Sequence, residues 1–371
     1  MDFNVPVTNG KISDNSRIVA VLPTLNYLLS KHCAIILMSH LGRPKGVSEE
    51  LSLKVVADEL SKLIKKPVLM APDCIGPKVK QIAEKLEPGE ILLLENLRFH
   101  KAEEHPEEDL SFAQALASLG DFYIDDAFGC AHRSHASIVE VPKLLRGKCA
   151  PGFLMEKEIK FLSQITKRPA QPFLTLIGGA KISSKIGVIE SLSKKCDKMA
   201  IGGGMAFTFF KAQGLEIGDS LFEENFIEKA RDLLKKIPLL LPIDVVIAKD
   251  FEDSALEIIE ISRGIPKGYK GLDIGPKSVS IFKVAMQDAK TILWNGPMGV
   301  YEKPPFDKGT KEIAEAFAKS SALTVAGGGE TVAALLETPW KDHVSHLSTG
   351  GGAALEYLEY GSLPGIDILF Q

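Results

Sequence analysis

No apolar run in this chain approaches the ~20 residues needed to cross a bilayer. The opening, Met1-Asp2-Phe3-Asn4-Val5-Pro6, carries neither a basic segment nor the apolar core of a secretory signal, so a cytoplasmic location is expected. Cysteine is scarce and scattered. The five residues Cys33, Cys74, Cys130, Cys149 and Cys196 are odd in number and form no CxxC pair, which indicates neither a disulfide framework nor a zinc site. Positive charge is not in excess: 44 Lys and Arg stand against 48 Asp and Glu, a net charge of -4. That balance excludes a general nucleic-acid or membrane surface, so any anion site must be local. There is no GxxxxGK[ST] run and hence no P-loop, and no GxGxxG opens a helix after a strand, which excludes a dinucleotide dehydrogenase. GxSxG and HExxH are also missing, as are internal repeats of 20 to 50 residues and low-complexity tracts.

What the chain does contain is alternation. Its 371 residues, 45% hydrophobic and 25% charged, suit a globular protein of two domains, or three. Strand-like runs appear at Ala34 to Met38, Val68 to Met70, Ile91 to Glu95, Phe122 to Asp125, Phe173 to Ile177 and Lys198 to Ile201. Further runs are Leu239 to Ile247, Thr291 to Trp294, Leu323 to Ala326 and Val344 to Leu347, with amphipathic helical stretches between them. The apolar runs are continuous, as in parallel strands buried on both faces. The expected fold is α/β, with two doubly wound (Rossmann-like) parallel-sheet domains. Their boundary is expected near Pro151-Gly152, and Phe153 to Ile165 reads as a hinge helix joining the halves.

Five strand-like runs of the second half empty into glycine-rich turns and then into helical patterns. These are Leu176-Ile177-Gly178-Gly179-Ala180-Lys181, Gly202-Gly203-Gly204, Asn295-Gly296-Pro297-Met298-Gly299, Gly327-Gly328-Gly329-Glu330-Thr331 and Thr349-Gly350-Gly351-Gly352. Glycine at a strand end lets backbone N–H groups approach an anion, and the next helix aims its positive end at the same place. One such turn is ordinary turn chemistry, whereas five together predict a phosphate-binding sheet edge. Lys181 and Lys185, four apart, are expected on one face at the start of a helix, within reach of phosphate. Glu330 is the natural Mg²⁺ carboxylate, or else a first-turn acid favoured by the helix dipole.

The first half places basic residues where strands or loops end. Arg17 follows a polar turn, His40 and Arg43 follow the run ending at Met38, Arg98 follows Glu95-Asn96, and His132-Arg133 follows Asp125-Asp126. Loops at the carboxyl ends of an open α/β sheet converge, and guanidinium forks match phosphate and carboxylate oxygens. A pocket for a small polyanion is therefore expected, although any one Arg alone fits a solvated surface charge. His40 and His132 fit a ligand contact or a structural hydrogen bond equally well. A cationic pocket in one domain and a phosphate-binding edge in the other suit phosphoryl transfer, whose catalysis is mainly alignment and charge neutralisation.

These motifs resemble those of the phosphoglycerate kinase family. The matching runs are Asp2-Phe3-Asn4-Val5-Pro6, Ser39-His40-Leu41-Gly42-Arg43-Pro44-Lys45-Gly46, Glu95-Asn96-Leu97-Arg98-Phe99-His100 and Gly178-Gly179-Ala180-Lys181. Gly202-Gly203-Gly204-Met205-Ala206-Phe207, Trp294-Asn295-Gly296-Pro297 and Ser348-Thr349-Gly350-Gly351-Gly352 extend the likeness nearly to the end. The resemblance implies a monomeric two-domain kinase passing the acyl phosphate of 1,3-bisphosphoglycerate to Mg-ADP, giving 3-phosphoglycerate and ATP reversibly. It implies a first domain of residues 1–150 joined by a tail of about residues 355–371, and a second domain of residues 151–354. By the same resemblance Asp2, Asn4, Arg17, His40, Arg43, Arg98 and Arg133 hold the triose. Lys181, Lys185, Gly203, Gly271, Pro297, Glu302, Gly328, Gly329, Glu330 and Thr331 hold ADP or ATP, with Glu330 toward Mg²⁺. Arg17, Lys181, Gly328, Gly329, Gly350 and Gly351 stabilise the moving phosphoryl group. No general base is required, because the acceptor carboxylate is already ionised at neutral pH.

Two departures from the family are visible. Glu330 stands where the family usually has Asp, and the family has a strand ending in Arg-Val where this chain has Met1. A central strand is worth roughly the whole stability of a domain. The expectation is therefore a poorly folded first domain with little transfer activity, and a second reading is a nucleotide-binding derivative that no longer catalyses.

Overall fold

The computed structural model describes residues 1–252 and 256–371. Two compact units emerge, Met1–Lys160 with Ser362–Gln371, and Phe161–Gly361, and the division falls within the helix Phe153–Lys167.

The first unit opens with a hairpin, β1 (Val7–Thr8) and β2 (Lys11–Ile12), whose turn residues Asn9 and Gly10 both have positive φ, 53° and 71°. An Asn-Gly pair tolerates that geometry, and its twist suits adjoining strands. Next come β3 (Ile35–Leu37), β4 (Leu69–Met70) and β5 (Ile91–Leu93), which form a parallel sheet in the order β3-β5-β4. β6 (Tyr123–Asp125) and β7 (Cys149–Pro151) pair in parallel as a separate sheet. Alternate strand residues enter opposite layers. Ile91 and Leu93 pack with Ile18, Val21 and Leu25 of the helix Ser16–Ser30, while Leu92 and Leu94 pack with Val79, Phe112 and Leu116. The tail closes this unit: Gly365 donates its amide to the Ala131 carbonyl at 2.8 Å, Leu369 is buried, and Arg146 Nε donates to the Gln371 carbonyl at 2.8 Å.

The second unit contains β8 (Phe173–Ile177), β9 (Lys198–Ile201), β10 (Leu239–Leu240), β11 (Asp244–Ala248), β12 (Glu257–Glu260), β13 (Lys270–Ile274), β14 (Thr291–Asn295), β15 (Leu323–Gly327) and β16 (His346–Leu347). Six of them make one parallel sheet in the order β10-β9-β8-β14-β15-β16. Counted along the chain this is 3-2-1-4-5-6, the doubly wound order whose switch point lies between β8 and β14. Trp294, Phe282, Phe317 and Leu176 are buried together beneath it, Trp294 and Phe317 edge to face at 5.5 Å.

Leu239 to Ile247, expected as one strand, is two. Pro242 interrupts the run and has no N–H to give a ladder, so β10 finishes the parallel sheet while β11 joins an antiparallel sheet ordered β12-β11-β13. β11 is anchored at its start. The Asp244 carboxylate accepts the amides of Lys277 and Ser278 at the first turn of the helix Pro276–Gln287, and the Ser278 hydroxyl donates to it at 2.6 Å.

Candidate functional site

In the first unit a chain of hydrogen bonds gathers the amino-terminal residues and two loops. Arg17, on the first turn of its helix, donates Nη1 to Asp2 Oδ2 at 2.5 Å, and Asp2 Oδ1 accepts the Asn4 amide at 3.1 Å. Asn4 Oδ1 in turn accepts the Gly42 amide at 2.9 Å, which holds the turn after β3 in a left-handed conformation, φ 65°. Gly42 offers its carbonyl to Arg98 Nη1 at 2.8 Å. Arg98 is set by its own turn: Asn96, fully buried, accepts the Arg98 amide and donates Nδ2 to the carbonyls of Leu41 and Leu51.

The charge of this cluster is unbalanced. Arg98 is only 6% exposed, pairs Nε with Glu104 at 3.2 Å, and has a buried Nη2 without a partner among the described residues. A buried guanidinium nitrogen without an acceptor is costly and marks a place for an anion. His40 lies beside it, its ring and the ligand atoms of Asp2 and Cys130 all within 4.8 Å of one another. Burial pushes His40 down to about 3, with Asp2 pulling upward and Arg98, Arg133 and His135 pushing further down. His40 is therefore neutral at physiological pH and adds no charge to the cluster. Arg133 acts on both His40 and Arg98, which places it in the same cationic group. Arg43, one residue past Gly42, is exposed.

In the second unit the strand register levels the glycine turns. Asn295 is paired with Ile177 on one side and Gly327 on the other, and Ile177 is paired with Ile201. Gly178, Gly202, Gly296 and Gly328 thus leave the sheet at one height around the switch point. These loops pack backbone on backbone. A Cβ added to Gly178 would lie 2.1 Å from the Pro297 carbonyl oxygen, and one added to Gly203 would lie 2.7 Å from the Gly179 nitrogen.

That packing corrects the expectation of free amides at every turn. The N–H groups of Gly178, Gly179 and Gly203 donate to the carbonyls of Asn295, Pro297 and Met298. The amides left for an anion are those at helix starts. Residues 329–331 open the helix Gly329–Leu336, and Gly351, with φ 53°, precedes the helix Gly352–Tyr360. Thr331 is fully buried and its Oγ1 accepts the Gly296 amide at 2.6 Å, tying the fourth turn to the third. Gly350 donates its amide to Ser348 Oγ at 3.2 Å.

Lys181 and Lys185 do not sit on a helix. Ser183 gives both its amide and its hydroxyl to Glu223, at 2.8 and 2.6 Å, which holds residues 181–185 as a turn, and the helix begins at Ile186. Lys181 is exposed, whereas Lys185 is half-buried and donates Nζ to Asn295 Oδ1. Burial pulls Lys185 down to about 8, opposed by the charge of Glu330. Asn295 is a participant that sequence reasoning missed. It is 0% exposed, and its Nδ2 has no partner among the described residues beside the Gly327-Gly328 turn.

Beside the loops lies a cavity of about 450 Å³. Gly203, Gly271, Pro297, Glu302 and Glu330 all line it, and Phe207 forms part of its apolar wall. Gly271 is required there by space, because a Cβ would fall 2.0 Å from Phe207 Cζ.

Comparison with known proteins agrees with this geometry. The family model for phosphoglycerate kinase matches residues 1–360. The chain belongs to the phosphoglycerate kinase family. It is 51% identical to the phosphoglycerate kinase of Chlamydia caviae and 48% identical to that of Chlamydia muridarum, in each case over 100% of this chain and 94% of the relative. The phosphoglycerate kinase structure from Coxiella burnetii superposes with a TM-score of 0.90 at 38% identity, and that from Pyrococcus horikoshii with 0.86 at 29%. Each covers all of this chain, and this chain covers 94% of each. As a phosphoglycerate kinase, the chain is a phosphotransferase of glycolysis with two doubly wound domains. No described helix is long and apolar enough to cross a membrane.

Proposed function

We propose that this phosphoglycerate kinase passes the acyl phosphate of 1,3-bisphosphoglycerate to Mg-ADP, reversibly, with the triose on the first unit and the nucleotide on the second. The observation that carries this reading is the level row of glycine turns around the switch point, next to a cavity of nucleotide size. Asp2, Asn4, His40, Arg43, Arg98 and Arg133 hold the triose, and Asp2 aims Arg17 at the transferred group. Lys181, Lys185, Gly203, Gly271, Pro297, Glu302 and the Gly328–Thr331 turn hold the nucleotide. Arg17, Lys181 and the amides around Gly328, Gly329, Gly350 and Gly351 neutralise the phosphoryl oxygens as they move. Donor and acceptor occupy different units, so transfer involves hinge-bending closure, which also excludes water. The enzyme is proposed to act as a cytoplasmic monomer on small molecules, without nucleic acid or membrane.

Glu330 fits a magnesium role in one respect: it is an exposed carboxylate at the glycine turn, with Lys185 within electrostatic reach. A lone protein carboxylate suits Mg²⁺, which keeps waters and takes nucleotide phosphates as its other ligands. Bound there, the ion would offset phosphate charge. Glu330→Asp is expected to keep or improve turnover, whereas Glu330→Ala raises the Mg²⁺ concentration for half-maximal activity about tenfold or more. Titration of activity with Mg²⁺ measures both, and an unchanged requirement in Glu330→Ala removes Glu330 from the metal site.

Lys185 gives a pH signature. The ammonium form binds phosphate, and the free site loses that charge as pH rises through about 8. The Michaelis constant for ADP is therefore expected to climb above pH 8, while that for the triose changes less. In Lys185→Met that step disappears and ADP affinity is low throughout. A pH profile unchanged in the variant, or a larger effect on the triose, contradicts the assignment.

The activity itself is tested by following ATP formation from 1,3-bisphosphoglycerate and ADP in a coupled assay. The second reading, a nucleotide-binding derivative without transfer, is favoured by the edges of β3 and β6, which have no strand partner among the described residues. It is distinguished by calorimetric ADP binding in the absence of turnover.

A further inference from the structure

Three ligand-bearing side chains that the proposed transfer chemistry does not use meet in the first unit. Asp73 and Cys74 lie in the turn after β4, and His100 follows the tight helical turn Leu97–Phe99 after β5. One ligand atom from each, a carboxylate oxygen, Sγ and a ring nitrogen, lies within 4.8 Å of the other two. Asp73 Oδ1 is 2.6 Å from His100 Nε2 and accepts the Cys74 amide at 2.6 Å, so one carboxylate already gathers both partners. The His100 ring is set from behind by stacking on Phe112, centroids 4.9 Å apart and planes 25° apart. Cys74 is fully buried, and its thiol donates to the Glu95 carbonyl at 2.9 Å. The side chains of Asp73 and His100 are 49% and 28% exposed, which gives solvent a way in.

The field at this group is negative. Burial pushes the Cys74 thiol up, and the charges of Asp73, Glu103 and Glu95 push it the same way. Glu95 and Glu103 are otherwise engaged. Glu95 accepts the amides of Leu53 and Asn96 and the Ser52 hydroxyl, and Glu103 accepts the amide and hydroxyl of Ser137. They supply charge without competing as ligands. Surroundings that resist a lone thiolate accept one with a divalent cation beside it, because the ion offsets both the burial and the carboxylates.

The donor set selects the ion. Sulfur, imidazole and one carboxylate suit Zn²⁺, whereas Mg²⁺ and Ca²⁺ take oxygen ligands. We propose that Asp73, Cys74 and His100 form a Zn²⁺ site, with water in the fourth tetrahedral place. Bond lengths of about 2.0 to 2.3 Å set ligand atoms roughly 3.5 Å apart, so closing on the ion takes side-chain shifts of roughly 1 Å. On binding, the Cys74 thiol passes its proton to water and Sγ bonds the ion. His100 carries its one proton on Nδ1 and turns the Nε2 lone pair to the metal. Two anionic ligands then cancel the charge of the ion. The site has no CxxC signature because its third ligand comes from the turn after the next strand. That turn carries Arg98, so the ion clips the loop after β4 to the turn that positions Arg98.

The test uses the full chain freed of metal by a chelator, with Co²⁺ and Zn²⁺ as probes. Co²⁺ is expected to bind once, with the near-ultraviolet band of a thiolate–cobalt bond and the strong visible bands of tetrahedral coordination, and one equivalent of Zn²⁺ should abolish both. Zn²⁺ at 100 times its dissociation constant should raise the thermal midpoint by about 5 °C or more. Cys74→Ser should lose the thiolate band. Asp73→Asn, at a half-exposed position that leaves the core intact, should weaken Zn²⁺ at least about tenfold by calorimetry. Cys130→Ser should keep the band, which separates this site from the group of Asp2, His40 and Cys130. No thiolate band in the parent, parent-like Zn²⁺ affinity in Asp73→Asn, or loss of the band in Cys130→Ser with retention in Cys74→Ser overturns the proposal. None of these readouts depends on kinase activity.

Discussion

Arg17→Ala is expected to lower turnover roughly 100- to 1,000-fold relative to the unsubstituted chain while leaving ADP affinity within a few-fold. The magnitude is that of one preorganised charge removed from a transferring group. Geometry supports a side chain held in place for that purpose. Arg17 reaches Asp2 at 2.5 Å and is still 39% exposed, so one face of the guanidinium is committed and the rest is open to a ligand. An ion pair this exposed contributes little to folding, so the substitution should act on chemistry more than on stability. Arg17→Lys keeps the charge but loses the fork, and should recover only part of the rate. Parallel measurements of turnover by coupled assay, ADP binding by calorimetry and thermal midpoint decide the case. Turnover within a few-fold of the parent removes Arg17 from the transfer role, and a large fall in the midpoint makes its role structural.

Gly178→Ala is expected to be strongly damaging for the addition of a single methyl group to the second unit. The added Cβ would meet two backbone carbonyl oxygens, those of Pro297 at 2.1 Å and Gly296 at 2.6 Å. Neither is the end of a flexible side chain, so the two loops must separate. Separation breaks the bonds from Gly178 to Asn295 and from Gly179 to Pro297, and shifts the turn that positions Lys185 through Asn295. The cost is about 3 kcal/mol, which for a unit of this size lowers the thermal midpoint by about 6 to 12 °C. ADP affinity should weaken at least about tenfold with it. Gly352→Ala is the control, since a Cβ there has nothing within 4 Å. Its midpoint should match the parent's. A parent-like midpoint and ADP affinity in Gly178→Ala would mean that the loops do not pack as described.

The features legible in the sequence are those that burial imposes. β8 and β9 appear at the expected residues because a strand covered on both faces must be apolar throughout, and nothing in either run competes with that signal. β12 is Glu257-Ile258-Ile259-Glu260, largely exposed, and carries no such run, so the antiparallel sheet is invisible to the same logic. β1 and β2 are only two residues each, although Asn9-Gly10 was a usable hairpin signal. For the site, glycine marks where a backbone comes close, but not to what. Gly178 and Gly203 serve loop-on-loop packing, while Gly328 and Gly351 sit at helix starts, and only the tertiary register separates the two uses. Asn295 was legible as turn chemistry alone, because its link to Lys185 joins residues 110 positions apart.

The return of residues 362–371 to the first unit bears on the order in which the protein is made. The second unit is one unbroken stretch, Phe161–Gly361, and every residue of it is joined to the chain before the tail is synthesised. The first unit starts earlier but lacks Ile366 and Leu369 in its interior, and the bond from Gly365 to Ala131, until the whole second unit has been made. The half begun first is therefore the half finished last. During translation its apolar surface awaits residues 362–371, made after the second unit, a period when nascent first units are open to association with one another or with chaperones.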